Sequence, residues 1–555
     1  MLSDWRFLLA IATILAIVPG AWAQEVRATI TGQVVDPTGA AVAGASVNVT
    51  NVATRAVVST KSNETGTFAT PFLAPGRYEL MVESAGFKKF VRQNIILQAQ
   101  DRLRLDVRME VGEVTSSVTV AAEVSQLQTE TASRSQVLAS EVIANVPTQG
   151  RNPFQIAWAA AGVIKGTGWR YLRSFDIAGT TSITINGGRE GQNEVLLDGI
   201  SNVRAEWTVI SVPTPESIQE FKVQSATFDA QYGRTSGGVI TIVTKGGTNE
   251  FHGTAFEYFQ NDKLNANQTE LNQPMTVAGQ YYPRGLKGPN HINHFGAMAS
   301  GPFYIPKVVN TRNRAFWMLS WESMRQRSAD PGVTTFPIMD IRGGDFTRLY
   351  NANGQQVLIY DPYSTRADGS RTPIAGNRIP ASQLDPVAVK LLSYYPAPSS
   401  TGVGPAQANN NPYPSMWRCS FDQFVGRTDV VLNPRNNFFF RYQENPFQQF
   451  RDVTFSLTNP AEPSSMLLRN GRNVTMNWTS TVSPTMTFDL RAGVNRWEEM
   501  GGNIIGAGYD PKQLGIDPGL VSQFTVYQFP MISIEGYKNM GGSATSPAIR
   551  DTYSV

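Results

Sequence analysis

The chain predicts a mainly β protein whose second half is an antiparallel transmembrane β-barrel. Three observations lead there. First, from Phe251 onward short strands alternate apolar and polar residues: Met486, Phe488, Leu490, Ala492 and Val494 share one face, opposite Thr487, Asp489, Arg491, Gly493 and Asn495. Strand side chains project with a period of two, so one face is apolar and the other wet. Second, the connections between these strands alternate long and short, as in barrels with long outer loops and short periplasmic turns. Third, the N-terminus carries an export segment, and no later stretch is apolar enough for a spanning helix.

The export segment occupies residues 1–23. Arg6 precedes the apolar run Phe7–Val18, followed by Pro19-Gly20 and the small-residue pattern Ala21-Trp22-Ala23. This is a charged start, an apolar core and a cleavage site. The run is shorter than the roughly 20 residues a spanning helix needs. Across 555 residues the net charge is only +3, which points to no polyanionic partner. The single cysteine, Cys419, rules out an internal disulfide.

Residues 24–111 read as a small β-sandwich. Thr29–Val35, Ala45–Val49, Phe68–Phe72 and Tyr78–Val82 are β-rich runs separated by turn sequences such as Asp36-Pro37-Thr38-Gly39 and Asn63-Glu64-Thr65-Gly66. With Thr31-Gly32-Gln33-Val34-Val35-Asp36, Gly44-Ala45-Ser46-Val47 and Pro75-Gly76-Arg77-Tyr78, the segment resembles the carboxypeptidase regulatory-like family, which implies a transthyretin-like sandwich. Zinc peptidase chemistry needs His-x-x-Glu plus a distant His. None of His252, His291 and His294 has Glu three positions on, and His291-x-x-His294 is read as a solvated loop pair rather than a metal site.

Residues 128–247 change character. Thr129–Val146 is expected to hold a short helix and Arg151–Trp158 a helical turn. The β-type runs Ser182–Asn186, Asn193–Leu197, Phe221–Ser225 and Gly238–Thr244 follow. No phosphate-binding glycine pattern is present, and Asp198-Gly199 after an apolar strand reads as a turn. Four motifs stand in order: Asn186-Gly187-Gly188-Arg189, Val195 to Ile200 with Asp198-Gly199, Pro215-Glu216-Ser217-Ile218, and Tyr232-Gly233-Arg234-Thr235-Ser236-Gly237-Gly238. Together they resemble the α/β plug domain of TonB-dependent outer-membrane receptors. In the linker 112–127, the extended run Ser117, Val118, Thr119, Val120 and Ala121 resembles the TonB box, which pairs by strand addition. The other reading of that run is a last sandwich strand or plain linker.

Residues 248–555 supply the barrel part. Strands are expected at Phe251–Gln260, Phe295–Phe303, Arg314–Arg325, Phe421–Leu432, Asn437–Gln443, Arg472–Thr481 and Met486–Trp497. The connections Asn261–His294, Gln326–Ser420 and Glu444–Gly471 are long, and those near Tyr304–Asn313, Asn433-Pro434-Arg435 and Val482-Ser483-Pro484 are short. Phe439 breaks the alternation of its strand. About seven strands are visible, whereas a plug-filled barrel takes roughly 22. The expectation is therefore an incomplete barrel, the N-terminal portion of a longer protein.

Within TonB-dependent receptors the chain resembles the Oar-like group. The resemblance implies energised import across the outer membrane, with the N-terminal domain in the periplasm and TonB, ExbB and ExbD as partners. The ligand would be a siderophore, oligosaccharide or peptide. Outer-loop aromatics Tyr350, Tyr360, Tyr394, Tyr395 and Trp417 are candidates to meet it. No catalytic residue, metal ligand or cofactor is expected. The reading from another class is a surface adhesion protein that uses its sandwich to bind carbohydrate.

Overall fold

The computed structural model describes residues 26–112, 117–120, 133–146, 148–165, 183–204, 208–228, 231–233, 235–266, 275–277, 280–282, 288–451, 453–463, 465–483, 486–503, 505–542 and 548–554. The export segment, Ala121 and Arg234 lie outside the described residues.

The sandwich comprises β1 (Ala28–Val35), β2 (Ser46–Asn51), β3 (Val57–Lys61), β4 (Thr67–Leu73), β5 (Gly76–Glu83), β6 (Lys89–Leu97), β7 (Arg102–Arg104) and β8 (Val107–Arg108). One sheet has the order β4-β1-β7, with β8 also on β1, and the other runs β3-β2-β5-β6. Alternate residues meet between the sheets: Ile30 and Val34 of β1 pack with Val47, Val49, Leu80 and Val82, all fully buried. The segment β9 (Ser117–Val120) extends the second sheet, running parallel to β6 with Lys89 opposite Ser117 and Arg92 opposite Val120.

The plug holds β10 (Arg134–Ala139), α1 (Ser140–Asn145), β11 (Val163–Lys165), β12 (Ile183–Ile185), β13 (Glu194–Leu197), β14 (Ile200–Ser201), β15 (Ile218–Ala226) and β16 (Val239–Thr244). Its main sheet has the order β10-β15-β16-β13-β14, with β13 and β16 parallel. The short helix expected within Thr129–Val146 is α1, and the residues before it, Arg134–Ala139, pair with β15 as an edge strand that was not anticipated. Pairing with a partner distant in sequence overrides local propensity there. The expected second helical turn is a 3-10 segment, Pro153–Ala159, which the Asn152 side chain caps by accepting from the Phe154 amide.

A curved antiparallel wall follows: β17 (His252–Asn261), then, past a small hairpin of β18 (Met275–Val277) and β19 (Gln280–Tyr282), β20 (Asn290–Pro302). After a second hairpin, β21 (Tyr304–Ile305) and β22 (Val309–Asn310), come β23 (Ala315–Thr334), β24 (Asn411–Asn433), β25 (Asn436–Arg451), β26 (Ser465–Ser483), β27 (Met486–Gly502) and β28 (Ala548–Ser554). The order is β17-β20-β23-β24-β25-β26-β27-β28, and the two end strands each have one neighbour among the described residues. Among the described residues the wall thus has eight strands rather than the seven read from the sequence, since β28 lies past a long connection and is too short to show its period. Several strands also outrun their expected limits; β24 begins ten residues earlier than the alternation indicates.

The wall's two faces differ in kind. Leu319, Phe424, Trp478 and Phe488 point outward and are exposed, whereas Asn473, Thr475, Asn495 and Arg441 point inward and are fully buried against the plug. The outward apolar band ends at a charged belt of Arg325, Asp422, Glu444, Arg472, Arg496 and Asp551. The belt is paired along its length: Arg325–Asp422 at 2.8 Å, Arg472–Glu444 at 2.8 Å and Arg496–Asp551 at 2.9 Å. Above this belt both faces are mixed, so alternation stops reporting a strand although pairing continues.

Short connections lie at one end of the wall, a turn around 434–435 between β24 and β25 and the brief step from Ser483 to Met486 between β26 and β27. The long connections at the other end join. Phe336, Tyr395, Ala461, Leu514, Phe529 and Met540, drawn from 335–410, 453–463 and 505–542, form one apolar cluster.

Candidate functional site

The plug is held to the wall mainly by charged and polar groups. Asp198 sits in a tight turn between β13 and β14, with positive φ at both Asp198 (48°) and Gly199 (83°). The turn read from Asp-Gly is present, but the side chain does more. Its carboxylate accepts from the Thr244 amide at 2.8 Å and the Thr244 hydroxyl at 2.7 Å. Arg441 of β25 lies 2.8 Å from it and Arg427 of β24 at 3.5 Å. Burial alone raises a carboxyl pKa; the two guanidiniums and the Thr244 bonds outweigh it and hold Asp198 below the usual carboxylate range. Phe439, the residue that broke the alternation, is an inward one lying under the Arg427 guanidinium, 4.5 Å from ring centroid to Cζ.

A second anchor lies at Arg151, just before the 3-10 segment. Its guanidinium contacts Glu216 of the plug and, at 3.4 Å, Glu322 of β23. It also stacks over Phe256 and Tyr258 of β17, at 4.1 and 4.6 Å. Glu322 further contacts His294, which is buried in β20. His291 and His294 are therefore strand residues pointing to opposite sides of the wall, not a solvated loop pair. His291 is outward and lies 3.2 Å from Asp262. Neutral contacts complete the seam: Thr214 with Ser320 at 2.8 Å, and the Asn495 amide donating to the Ser201 carbonyl at 2.8 Å.

The remaining plug-motif residues divide. Gly237 and Gly238 pack tightly: a methyl on Gly188 would come within 2.6 Å of the Gly237 Cα, and one on Gly238 within 2.7 Å of the Gln224 carbonyl. Gly187 occupies the turn after β12 with φ 74°. Arg189 and Gly233 are exposed and join no anchor. The inward charges Arg427, Arg441 and Glu322, and Arg151 of the plug, were not singled out in the sequence. An arginine or glutamate among Asn and Thr on a strand's wet face is the signal that marks such a position.

The sandwich docks beneath the plug at the short-turn end. Glu220 of β15 accepts from the Ala99 amide at 2.7 Å, and Lys222 donates to the Ala99 carbonyl at 2.6 Å. Gln100 reaches Thr241 at 3.1 Å, and Val26 packs with Leu196, Tyr232 and Val239. Arg27 extends to Asp489 of β27 and to Asn477 of β26 at 3.1 Å. Burial pushes the Glu220 carboxyl up to about 7, with Asp101 adding to the rise and the Ala99 amide and Lys222 opposing it. Burial also lowers Lys222, against Asp101 and Glu220. A cavity of about 450 Å³ remains among sandwich, plug and wall, lined by residues including Arg27, Phe72, Asp198, Arg427 and Phe439.

The outer aromatics also divide. Tyr395 is buried in the loop cluster, its ring against Phe336 and Phe455 and its hydroxyl donating to the Lys538 carbonyl, and the Tyr394 hydroxyl meets the Tyr509 hydroxyl at 2.7 Å. These two pack the loops. Tyr350 is half-buried, Tyr360 is exposed, and Trp417 is a residue of β24.

Two family models match this architecture: the outer membrane beta barrel domain over residues 243–555, and the carboxypeptidase regulatory-like domain over residues 29–110. The TonB-dependent transporter Oar of Myxococcus xanthus is 26% identical over 261 residues, 44% of this chain and 22% of the relative. The alignment thus spans about a fifth of that relative's length. Similar solved structures include the outer membrane transporter YddB from Escherichia coli, with a TM-score of 0.39 and 10% identity over 68% of this chain and 40% of that one. The ferric-catecholate import receptor Fiu from E. coli K12 gives 0.33 and 12% over 77% and 57%. The chain belongs to the outer membrane beta barrel domain family, carries a carboxypeptidase regulatory-like domain ahead of the barrel part, and is situated in the outer membrane.

Proposed function

We propose that the chain serves TonB-driven import across the outer membrane, with a siderophore, oligosaccharide or peptide as ligand and ExbB and ExbD energising TonB. The observation that supports this most is the character of the plug seam. The plug meets the wall through Asp198, Arg427 and Arg441 and through Arg151, Glu216 and Glu322. Such a seam resists thermal opening, because separating a buried charge from its partner costs about 3–5 kcal/mol. It yields to a directed pull that admits water, since hydrated charges lose little on separation.

In this reading the sandwich hangs on the periplasmic side and Ser117–Ala121 is the segment that TonB takes up. Strand addition needs a main-chain edge and little sequence. Ser117–Val120 already pairs as a strand with β6, so TonB would take over an existing pairing habit. Gly187 permits the turn after β12, Gly237 and Gly238 keep the plug compact, and Asp198 and Glu216, the latter through Arg151, hold it to the wall until the pull arrives. The test is deletion of residues 117–122 from the full-length protein. Uptake of labelled ferric siderophores, oligosaccharides and peptides is then followed in cells with and without TonB. Loss of one uptake activity in both the deletion and the TonB-less cells is expected; TonB-independent uptake that survives the deletion refutes the mechanism.

A further inference from the structure

The outward face of the wall carries a second set of charges, above the paired belt, that the plug mechanism does not use. Arg327 of β23 stands directly opposite Arg418 of β24, and His291 of β20 stands opposite Arg327 on its other side. The three form one row across three neighbouring strands. All three point outward, since the intervening Glu322, Met324 and Gln326 of β23 and Gln423 of β24 are buried on the inner face. Arg327 and Arg418 are exposed.

The belt just below shows how this surface usually treats charge, with Arg325 on Asp422, Arg472 on Glu444 and Arg496 on Asp551. Among the described residues, no ion pair is found for Arg327 or Arg418, and His291 lies 3.2 Å from Asp262. Directly opposed residues of antiparallel strands have Cα atoms roughly 4.5–5.5 Å apart, and like charges so placed are destabilising. Two arginines on directly opposed positions can converge their donor forks on one tetrahedral oxyanion, which also removes their repulsion. Position narrows the source of the anion. The row lies just beyond the end of the apolar band, on the face that band turns toward lipid, where headgroups rather than acyl chains lie.

We propose that His291, Arg327 and Arg418 form a binding site for the phosphate headgroup of a phosphorylated glycolipid in the outer leaflet. The two arginines supply charge and paired donors, and His291 extends the row. The site fixes the height of the wall in the membrane and is independent of the import reading.

The full chain, purified from outer membranes in a phosphate-free detergent, is titrated with vesicles of a diphosphorylated diglucosamine lipid. A parallel titration uses the same lipid with its phosphates removed. Wild type is expected to bind the phosphorylated vesicles, and the dephosphorylated ones about tenfold or more weakly. The double variant Arg327→Gln, Arg418→Gln is expected to lose about the same factor while folding as well as wild type, because it removes a like-charged pair. Arg496→Gln, taken from the paired belt, serves as the control and is expected to change binding less than threefold. The proposal is overturned if the folded double variant binds within threefold of wild type, or if wild type does not distinguish the two lipids. Displacement by millimolar inorganic phosphate as effective as that by the lipid would overturn it as well, since the site would then be selecting the anion alone.

Discussion

The sandwich strand β1 and the wall strand β26 carry the same period-two pattern and bury opposite halves of it. In β1 the apolar set Ala28, Ile30 and Val34 is buried between two sheets. In β26 the polar set Asn473, Thr475 and Asn477 is buried, and Trp478 is exposed on the other side. Alternation is therefore a statement about two faces and not about which of them is inside. Inside is decided by what lies against each face: a second apolar sheet for β1, a polar plug and a lipid-directed surface for β26.

The sharpest way to break the comparison is at the polar core. Asp198→Leu leaves Arg441 and Arg427 buried without their plug partner, and breaking a buried pair from one side costs about 3–5 kcal/mol. A lower unfolding temperature of the plug is expected, together with leakage of small solutes in conductance measurements; unchanged thermal unfolding would show that the seam rests on something else. Next come matched truncations. Ile30→Ala in the sandwich should cost about 2–5 kcal/mol by transfer and cavity terms. Met476→Ala, on the outward face of β26, should cost well under that in detergent or bilayer, because lipid or detergent chains fill the space. Equal losses in chemical denaturation would mean that the outward face is packed against protein.

The smallest expected effect is a pH dependence at the sandwich–plug contact. Glu220 is raised from 4.5 to about 7 when docked, so the docked state holds a proton that the undocked state releases. Docking is strongest below about pH 4.5, weakens as pH rises toward 7, and is level above it. Lys222, lowered by burial, acts in the opposite sense. Each pH unit within the window is worth at most about 1.4 kcal/mol. Hydrogen exchange at the Ala99 amide should accelerate from pH 5 to 7 beyond its intrinsic rate, and Glu220→Gln should remove the excess.

The regular parts were legible early, each for a local reason. Turn chemistry and short β-rich runs marked the sandwich, four ordered motifs marked the plug, and alternating loop lengths marked the wall. The errors share a cause. The short helix was found where it was expected, but the edge strand β10 just before it was not anticipated, because its partner β15 lies some eighty residues on in the chain, out of reach of a local window. The early start of β24 and the whole of β28 were hidden because alternation fades where both faces see a mixed environment. His294 was read as a loop residue for the same reason, and its burial against Glu322 depends on two strands coming side by side.

By itself, then, the order of residues determined the three-part organisation, the strand faces and the Asp198-Gly199 turn, because period, turn residues and motif spacing act over a few positions. Only the tertiary structure decided which charges meet. Asp198 finds Arg427 and Arg441, Arg151 finds Glu322, Glu220 finds the Ala99 amide, and Arg327 stands beside Arg418. Each of these depends on register and on packing between distant segments. Ionic contacts act over a few ångströms, and chain neighbours carry no information about which distant residue will arrive within that range.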